Sequence, residues 1–318
     1  MGRVLATHPI HPDAAALLRS AGLELITPSK DDTLPLPLPS IQALASRCGA
    51  MIAFMPDTVN EDFIESCPHL KVVAGALRGP DNFNIPCLTK NGIYFTRCGD
   101  LLTNPTAELG VGLAIGLGRN VLQGDSRVRS GAFASWRPEL FGAGLDGASI
   151  GILGLGAVGR ALVPRLAGFG VSKILYLDTP SEMQGGCAAW CASLPPHLST
   201  LLHPAPNLHS LLASSDVVFP LTPLSPSTRH LINRQALAAA RPHTLLVNVG
   251  RGGCVDEGAV AEALEGGGLG GYAADVFELE DWAVEGRRRD IPLALRRHPH
   301  TLFTPHLGSA VGRGDPLG

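Results

Sequence analysis

Short apolar runs alternate with helix-like stretches along the first hundred residues. The runs lie at residues 3–7, 23–27, 50–54, 71–75 and 93–95. Helix-like segments, such as Pro12–Ala21 and Ile41–Cys48, separate them. Strands that alternate with helices are typical of parallel sheets with helical crossovers. We therefore predict a small flavodoxin-like α/β domain over residues 1–100.

The pattern changes near Leu101. Asn104 and Pro105 suit the cap and first turn of a helix, and the stretch that follows carries few charges as far as Gly131. A helix that is apolar around most of its circumference must be buried. We predict that residues 105–145 contain a helix crossing between two domains, together with a dimerisation segment.

A second series of apolar runs follows, at 149–153, 173–177, 216–221, 244–249, 270–276 and 301–304. These runs fit a doubly wound sheet. We predict that residues 101–304 form this second domain, that residues 305–318 return towards the first, and that residues 180–209 are an irregular connection. The predicted fold class is thus α/β, with two Rossmann-like doubly wound parallel-sheet domains.

The first strand of the second domain runs into a glycine-rich turn. Residues 149–159 read SIGILGLGAVG, with Gly154, Gly156 and Gly159 in the pattern G-x-G-x-x-G. Such a turn directs backbone N–H groups and a helix N-terminus at a diphosphate. Asp178 ends the next strand, where a carboxylate can bind a ribose 2′-hydroxyl and repels a 2′-phosphate. The pattern predicts NAD rather than NADP, the alternative being a glycine-rich corner with a surface aspartate.

Composition restricts the class of protein. The 318 residues are 17% charged and 45% apolar, with a net charge of −3. No apolar run reaches the length of a membrane span, and the N-terminus lacks a signal-peptide core. We therefore expect a cytoplasmic protein with neither a membrane nor a nucleic-acid partner. The seven cysteines do not show metal-site spacing, so no metal is predicted.

Three residues after successive predicted strands suggest catalysis: Arg251, Glu280 and His306. Ligands of doubly wound sheets bind beyond the carboxyl ends of the strands. An arginine can hold a small oxyanion, a histidine can accept a proton, and a carboxylate can orient that histidine. Each alone has a structural explanation, as a surface ion pair or a loop residue. Together they favour a dehydrogenase that acts on a small-molecule oxyanion.

Longer strings resemble the D-isomer-specific 2-hydroxyacid dehydrogenases. The general motifs are VNVGRG, DVFELE and TPHLGSA, and the strings closer to the phosphonate (phosphite) dehydrogenases of that family are AFMPD, LLTNPTAELGVGLAIGLGR, VRSGAFASW, GLDGASIGILGLGAVG, GYAADVFELEDWA and LFTPHLGSAV. The resemblance implies a homodimer that oxidises phosphite to phosphate by hydride transfer to NAD⁺, with water as nucleophile. The same fold fits a glycerate- or lactate-like D-2-hydroxy acid equally well.

The resemblance also implies roles for individual residues. Arg251, Glu280 and His306 take the catalytic positions. The implied cofactor contacts are Thr106, Gly154, Gly156, Ala157, Val158, Gly159, Asp178, Thr222, Pro223 and Asp275, and the implied substrate contacts are Met55, Arg78, Gly79, Trp136, Phe141, Trp282 and Ser309.

Two departures from the phosphite enzymes stand out. Those enzymes carry lysine at position 78, where arginine keeps the charge but is forked and bulkier. The family continues after GSAV with a helix, whereas this chain reads GRGDPLG. A catalytically impaired NAD-binding protein is therefore a further alternative.

Overall fold

The computed structural model describes residues 2–29, 35–281, 284 and 286–312. Its contacts divide the chain into two compact units, Met1–Leu101 with Asp281–Arg287, and Leu102–Glu280 with Arg288–Gly318. The described residues after Thr304 belong to the second unit. The predicted return of residues 305–318 to the first domain remains a prediction.

In the described part of the first unit, five parallel strands form one sheet in the order β2-β1-β3-β4-β5. The strands are β1 (Arg3–Ala6), β2 (Glu24–Ile26), β3 (Ala50–Ala53), β4 (Val72–Gly75) and β5 (Tyr94–Arg97). The helices are α1 (Pro12–Ser20), α2 (Leu38–Ala45), α3 (Glu61–Ser66) and α4 (Ile85–Lys90), followed by a 3₁₀ helix at Asp100–Leu102. The side chains of Asn60 and Asn84 cap α3 and α4 by accepting backbone N–H bonds.

The second unit begins with two helices, α5 (Thr103–Gly118) and α6 (Val121–Arg129). The predicted apolar helix is therefore broken, and Asn120 lies in the left-handed region with φ 53° at the break. Half of the residues of α5 are buried, and Gly110 lets the helix approach Val249 of the sheet closely. The apolar character of α5 is thus explained by burial within its own unit.

Within the described residues, seven parallel strands form the sheet of the second unit, in the order β12-β11-β10-β9-β6-β7-β8. They are β6 (Ser149–Leu153), β7 (Lys173–Leu177), β8 (Leu202–Pro204), β9 (Val217–Pro220), β10 (Leu245–Asn248), β11 (Gly271–Ala274) and β12 (Thr301–Phe303). The remaining helices are α7 (Ala157–Ala167), α8 (Pro180–Gln184), α9 (Gly186–Ala192), α10 (Pro196–Ser199), α11 (Leu208–Ala213), α12 (Arg234–Leu237), α13 (Glu257–Glu265) and α14 (Leu293–Arg297), with 3₁₀ helices at Gly252–Cys254 and Glu278–Glu280.

The two parallel α/β sheets confirm the predicted fold class. The prediction for residues 180–209 was wrong, because this stretch contains α8, α9, α10 and the edge strand β8. Thr179 caps α8 by accepting from the N–H of Glu182, and Pro180 occupies the first turn, so a capping signal was present. β8 lacks an apolar run because only Leu202 of its three residues is buried. No helix among the described residues is long and apolar enough to cross a membrane.

Candidate active site

The glycine-rich turn connects β6 to α7. Gly154 has φ 99°, a backbone conformation that L side chains rarely adopt, and its N–H donates to Leu177 O at 2.8 Å. A Cβ on Gly159 would lie 2.5 Å from Gly154 O, so the helix and the turn are in direct backbone contact. A Cβ on Gly156 would meet no atom within 4 Å. The turn is therefore closely packed at its first and third glycines and open at the second.

These residues fit a dinucleotide. Ala157 and Val158 begin α7, and the first N–H groups of a helix have no partner within that helix. Gly156 leaves space for a ligand to approach the backbone at that point. Asp178 lies directly after β7, where its carboxylate accepts from Leu155 N at 2.7 Å and from Thr179 N at 2.8 Å. The carboxylate is thus held against the glycine-rich turn by backbone N–H groups, and its contact with a ribose remains a prediction.

His306 and Glu280 form a hydrogen-bonded pair beyond the ends of β12 and β11. Nδ1 of His306 lies 2.5 Å from Glu280 Oε2, and the two side chains are 30% and 23% exposed. The other carboxylate oxygen, Oε1, accepts from Phe277 N at 2.8 Å and so fixes the glutamate. Because a carboxylate only accepts, the proton lies on Nδ1 in the neutral imidazole, and Nε2 is left as an acceptor. The structure confirms the predicted contact between these two residues.

The loop that carries His306 is held by Asp275. This carboxylate, 1% exposed, accepts from Thr304 Oγ1 at 2.6 Å, Leu307 N at 2.6 Å and Gly308 N at 2.8 Å. The loop places His306 in the left-handed region with φ 56°, which is uncommon for a residue other than glycine. Strained backbone of this kind persists only where the surroundings hold it in place.

Thr106 also contacts this loop. Its hydroxyl lies 3.2 Å from Gly308 O and 2.7 Å from Leu102 O. The structure therefore brings Thr106, Asp275, Glu280 and His306 together. The cofactor contacts assigned to Thr106 and Asp275 stay predictions.

Arg251 follows β10, the strand next to β11 in the sheet. Its backbone carbonyl accepts from Asn248 Nδ2 at 3.0 Å, and its guanidinium Nη1 donates to Gly250 O at 2.9 Å. The side chain is half-buried. A Cβ on the following Gly252 would overlap the carbonyl carbon of Phe277. The loop of Arg251 is thus in backbone contact with the loop of Glu280.

Two further predicted cofactor residues lie beside this loop. The thiol of Cys254 approaches Thr222 O at 3.6 Å and Pro223 O at 3.8 Å. These contacts join the loop after β9 to the one after β10. The strand order thus explains why residues 222–223 and 254 are neighbours although they are distant in the sequence.

The residues predicted to bind substrate are divided among several parts of the chain. Met55, Arg78 and Gly79 belong to the first unit, where Arg78 Nη1 lies 3.1 Å from Asp100 Oδ1. Trp136 and Phe141 belong to the second unit and are 80% and 81% exposed, and Ser309 is also exposed. Trp282 lies outside the described residues. Their substrate contacts remain predictions.

Sequence reasoning missed two buried acids near Arg251 and Glu280. Glu257 and Glu278 are 0% and 3% exposed. The available signal was their position, since each stands within six residues of a predicted catalytic residue. No cluster of three or more possible metal ligands occurs in the residues that the structure describes.

Comparison with known proteins places this site in a family. Residues 111–308 match the family model "D-isomer specific 2-hydroxyacid dehydrogenase, NAD binding domain". The chain is 34% identical over 266 residues to a glyoxylate reductase of Pyrococcus horikoshii, covering 82% of this chain and 73% of that protein. It is 30% identical over 314 residues to a D-3-phosphoglycerate dehydrogenase of Methanocaldococcus jannaschii, covering 98% of this chain and 54% of the relative.

Solved structures of other proteins are similar to this chain over nearly its whole length. The TT0316 protein of Thermus thermophilus matches with a TM-score of 0.83 and 30% identity, covering 97% of this chain and 90% of that one. An NADPH-dependent glyoxylate/hydroxypyruvate reductase of Sinorhizobium meliloti matches with a TM-score of 0.77 and 27% identity, covering 98% and 88%. The chain belongs to the D-isomer-specific 2-hydroxyacid dehydrogenase family. It is an NAD-dependent oxidoreductase, as the sequence predicts.

Proposed function

We propose that this chain reduces a small 2-oxo acid to the corresponding 2-hydroxy acid and catalyses the reverse oxidation. The product is the achiral glycolate when the substrate is glyoxylate, and the D-isomer when the 2-oxo acid is larger. The observation that carries the proposal is the His306–Glu280 pair at 2.5 Å, located beyond β12 and β11 and beside the loop of Arg251. The names of the relatives support glyoxylate as the first substrate to test, since several are glyoxylate reductases.

The proposed roles follow from the chemistry of the three side chains. His306 Nε2 exchanges a proton with the substrate oxygen, while Glu280 holds the Nδ1 proton and stabilises the imidazolium that forms. The guanidinium fork of Arg251 suits the two oxygens of a carboxylate. Bound NAD supplies the hydride acceptor or donor. General acid–base catalysis of this kind contributes about 10²- to 10⁴-fold to the rate.

Phosphite is the second candidate substrate. The strings AFMPD, VRSGAFASW and GYAADVFELEDWA, which resemble phosphonate dehydrogenases, favour it. In that reaction His306 draws a proton from the water that attacks phosphorus, and Arg251 binds the phosphite oxygens. Arg78 is the residue by which this chain departs from the phosphite enzymes. The relatives named above favour the 2-hydroxy acid over phosphite.

The proposal includes a homodimer. Large apolar side chains are exposed along α6 and the segment that follows it, here called the 121–141 patch: Val121, Leu122, Val128, Phe133, Trp136, Leu140 and Phe141, which are 43% to 81% exposed. Exposed apolar surface of this extent is typical of protein interfaces. A second copy of the chain is the proposed partner. The cytoplasmic location predicted from the sequence is also part of the proposal.

Substrate assays test the proposal. Oxidation of NADH with glyoxylate or hydroxypyruvate, and formation of NADH with phosphite, are measured on the same preparation. We expect a larger kcat/KM for a 2-oxo acid than for phosphite. His306→Asn should lower kcat at least about 100-fold, because it removes the acid–base group. Its NADH affinity should change less than twofold, and turnover near the wild-type rate would remove His306 from its proposed role.

A further inference from the structure

Two buried glutamates hold each other by a reciprocal pair of hydrogen bonds. The backbone N–H of Glu257 donates to Glu278 Oε1 at 3.0 Å, and the backbone N–H of Glu278 donates to Glu257 Oε1 at 2.8 Å. The residues are 0% and 3% exposed. Each carboxylate therefore binds the main chain of the other residue, and the two form a closed ring, here called the glutamate ring.

The glutamate ring joins the two loops that carry the proposed catalytic residues. Glu257 is the first residue of α13, six positions after Arg251, and Glu278 stands two positions before Glu280. Between these points a Cβ on Gly252 would overlap the backbone nitrogen of Glu278, so the loops already touch through their backbones. The glutamate ring adds two hydrogen bonds that fix how the Arg251 loop and the Glu280 loop are aligned, as well as how close they are.

A histidine and an arginine lie close to Glu278. His230 Nε2 is 3.2 Å from Glu278 Oε2, and Arg288 Nε is 3.7 Å from Glu278 Oε1. The backbone N–H of His230 donates to Gly253 O at 2.7 Å, which ties this histidine to the loop after Arg251. Glu257 and Glu278 also surround Tyr272, whose pKa is raised first by burial and then by the charge of Glu257.

Charge at this place is expensive for the fold. Removing carboxylates from water is costly, and attraction to partners seldom recovers more than that cost. A buried carboxylate is therefore weak evidence for stabilisation and is better explained by what it orients. The groups that the carboxylates orient here are the backbone amides of Glu257 and Glu278, in the chain segments that follow Arg251 and precede Glu280.

We propose that Glu257 and Glu278 are positioning residues, which hold the Arg251 loop against the Glu280 loop and so set the guanidinium relative to the Glu280–His306 pair. This inference rests on the proposed function for its kinetic consequence. Its structural consequence, the joining of the two loops, is independent of any substrate.

The experiment compares Glu278→Ala, Glu257→Ala and the double variant with Glu278→Gln and Glu257→Gln. Alanine removes the acceptor, whereas glutamine keeps one acceptor oxygen for the amide, loses the charge and carries an NH₂ group in place of the second oxygen. Glu265→Ala is the matched control, because Glu265 is an exposed glutamate at the end of the same helix. Thermal melts identify any variant that fails to fold. If an alanine variant does not fold, the glutamine variants are compared with wild type instead.

Hydrogen exchange tests the loops without substrate. Both alanine variants should increase amide exchange in peptides covering residues 251–257 and 277–280, and the control should not. Kinetics test the consequence. Displacement of reacting groups by about 1 Å can cost about 100-fold. We expect kcat to fall about 10- to 100-fold in the alanine variants, with NADH affinity within twofold of wild type and a larger isotope effect from deuterated NADH.

Two further kinetic results support the inference, and their opposites overturn it. The double variant should be no slower than the slower single variant, because either change opens the same ring. Glutamine should restore at least a third of wild-type kcat. Unchanged exchange in both loops, or kcat within twofold of wild type in both alanine variants, overturns the inference. If wild type turns over no substrate, the proposed function fails, and hydrogen exchange alone still decides whether the ring joins the loops.

Discussion

The three glycines of the turn after β6 differ in what a methyl group would meet. At position 159 a Cβ would lie 2.5 Å from Gly154 O and 3.2 Å from Ile152 Cγ2. At position 156 it would meet no protein atom within 4 Å. Gly159→Ala therefore perturbs the packing of helix against turn, whereas Gly156→Ala clashes with no protein atom and occupies space left for a ligand.

The stability effects differ accordingly. The close contact at position 159 involves backbone, so the chain must shift, and overpacking of this kind costs about 1–3 kcal/mol. In a domain of about 150 to 250 residues, each kcal/mol of lost unfolding free energy lowers Tm by about 2–4 °C, so Gly159→Ala should lower Tm by about 2–12 °C. Gly156 precedes α7 with φ −75°, which alanine adopts without strain. Replacing this glycine by alanine removes a favourable N-cap residue, which destabilises the fold by about 0.5–1 kcal/mol. It also restricts the unfolded chain, which stabilises the fold by about 0.5–1 kcal/mol. The two effects oppose each other, so Tm should stay within about 2 °C of the wild-type value.

Gly156→Ala should weaken cofactor binding more than Gly159→Ala does, although it should affect stability less. A diphosphate approaches the backbone at the second glycine of such a turn, and a methyl group there keeps it away. We expect Gly156→Ala to weaken NADH binding about 10- to 100-fold, which is about 1.4–2.8 kcal/mol. Fluorescence titration with NADH and thermal melts of the same samples measure the two effects separately.

Gly112→Ala serves as the control for glycine replacement itself. Gly112 lies in α5 and is exposed, and a methyl group added there would meet no atom within 4 Å. Because alanine is the better helix former by about 1 kcal/mol, Tm should not fall, and NADH affinity should not change. The reasoning is refuted if Gly156→Ala binds NADH as tightly as wild type, or if it lowers Tm as much as Gly159→Ala does.

Three further predictions concern the cofactor, the dimer and pH. Asp178→Ser should lower the ratio of kcat/KM with NADH to that with NADPH at least about tenfold, because it removes the charge that repels a 2′-phosphate; an unchanged ratio contradicts this. Val128→Glu, in the 121–141 patch, should give monomers by analytical ultracentrifugation, whereas Leu17→Glu, at the 71% exposed Leu17 of the first unit, should not. Burial raises the pKa of Asp57 above its ordinary 3.8. The native state therefore binds this proton more tightly than the unfolded state, and stability present below the ordinary pKa is lost as pH rises. In urea titrations at a series of pH values, the free energy of unfolding should therefore fall less steeply with pH above about pH 4 in Asp57→Asn than in the wild type. An equal dependence of this free energy on pH in the two proteins contradicts the prediction.

Much of the fold could be predicted because its central strands are buried on both faces. β6 and β7 have the same bounds in the sequence pattern and in the structure, 149–153 and 173–177. Strands of this kind are nearly continuous apolar runs. β8 lies at the edge of the sheet, is largely exposed and carries a proline at its end, so it lacks that pattern.

The contact between Glu280 and His306 was also predictable, because their strands are consecutive and adjacent. The hydrogen bonds that hold these residues were not. Asp275 binds the His306 loop from 31 positions away, and the N–H of Glu278 reaches Glu257 across 21 positions. Such contacts depend on the register of β10, β11 and β12, which neither composition nor spacing encodes.

The proposed catalytic residues do not by themselves decide the substrate. The family match covers residues 111–308, and Arg251, Glu280 and His306 lie within the second unit. An arginine, an acid and a histidine can serve hydride transfer to NAD⁺ from either a 2-hydroxy acid or phosphite, so these residues do not distinguish the two substrate classes. Met55, Arg78 and Gly79 are the proposed substrate residues of the first unit. We propose that Arg78 contributes to the choice of substrate, and we expect Arg78→Lys to change the ratio of phosphite to glyoxylate turnover while leaving NADH affinity unchanged.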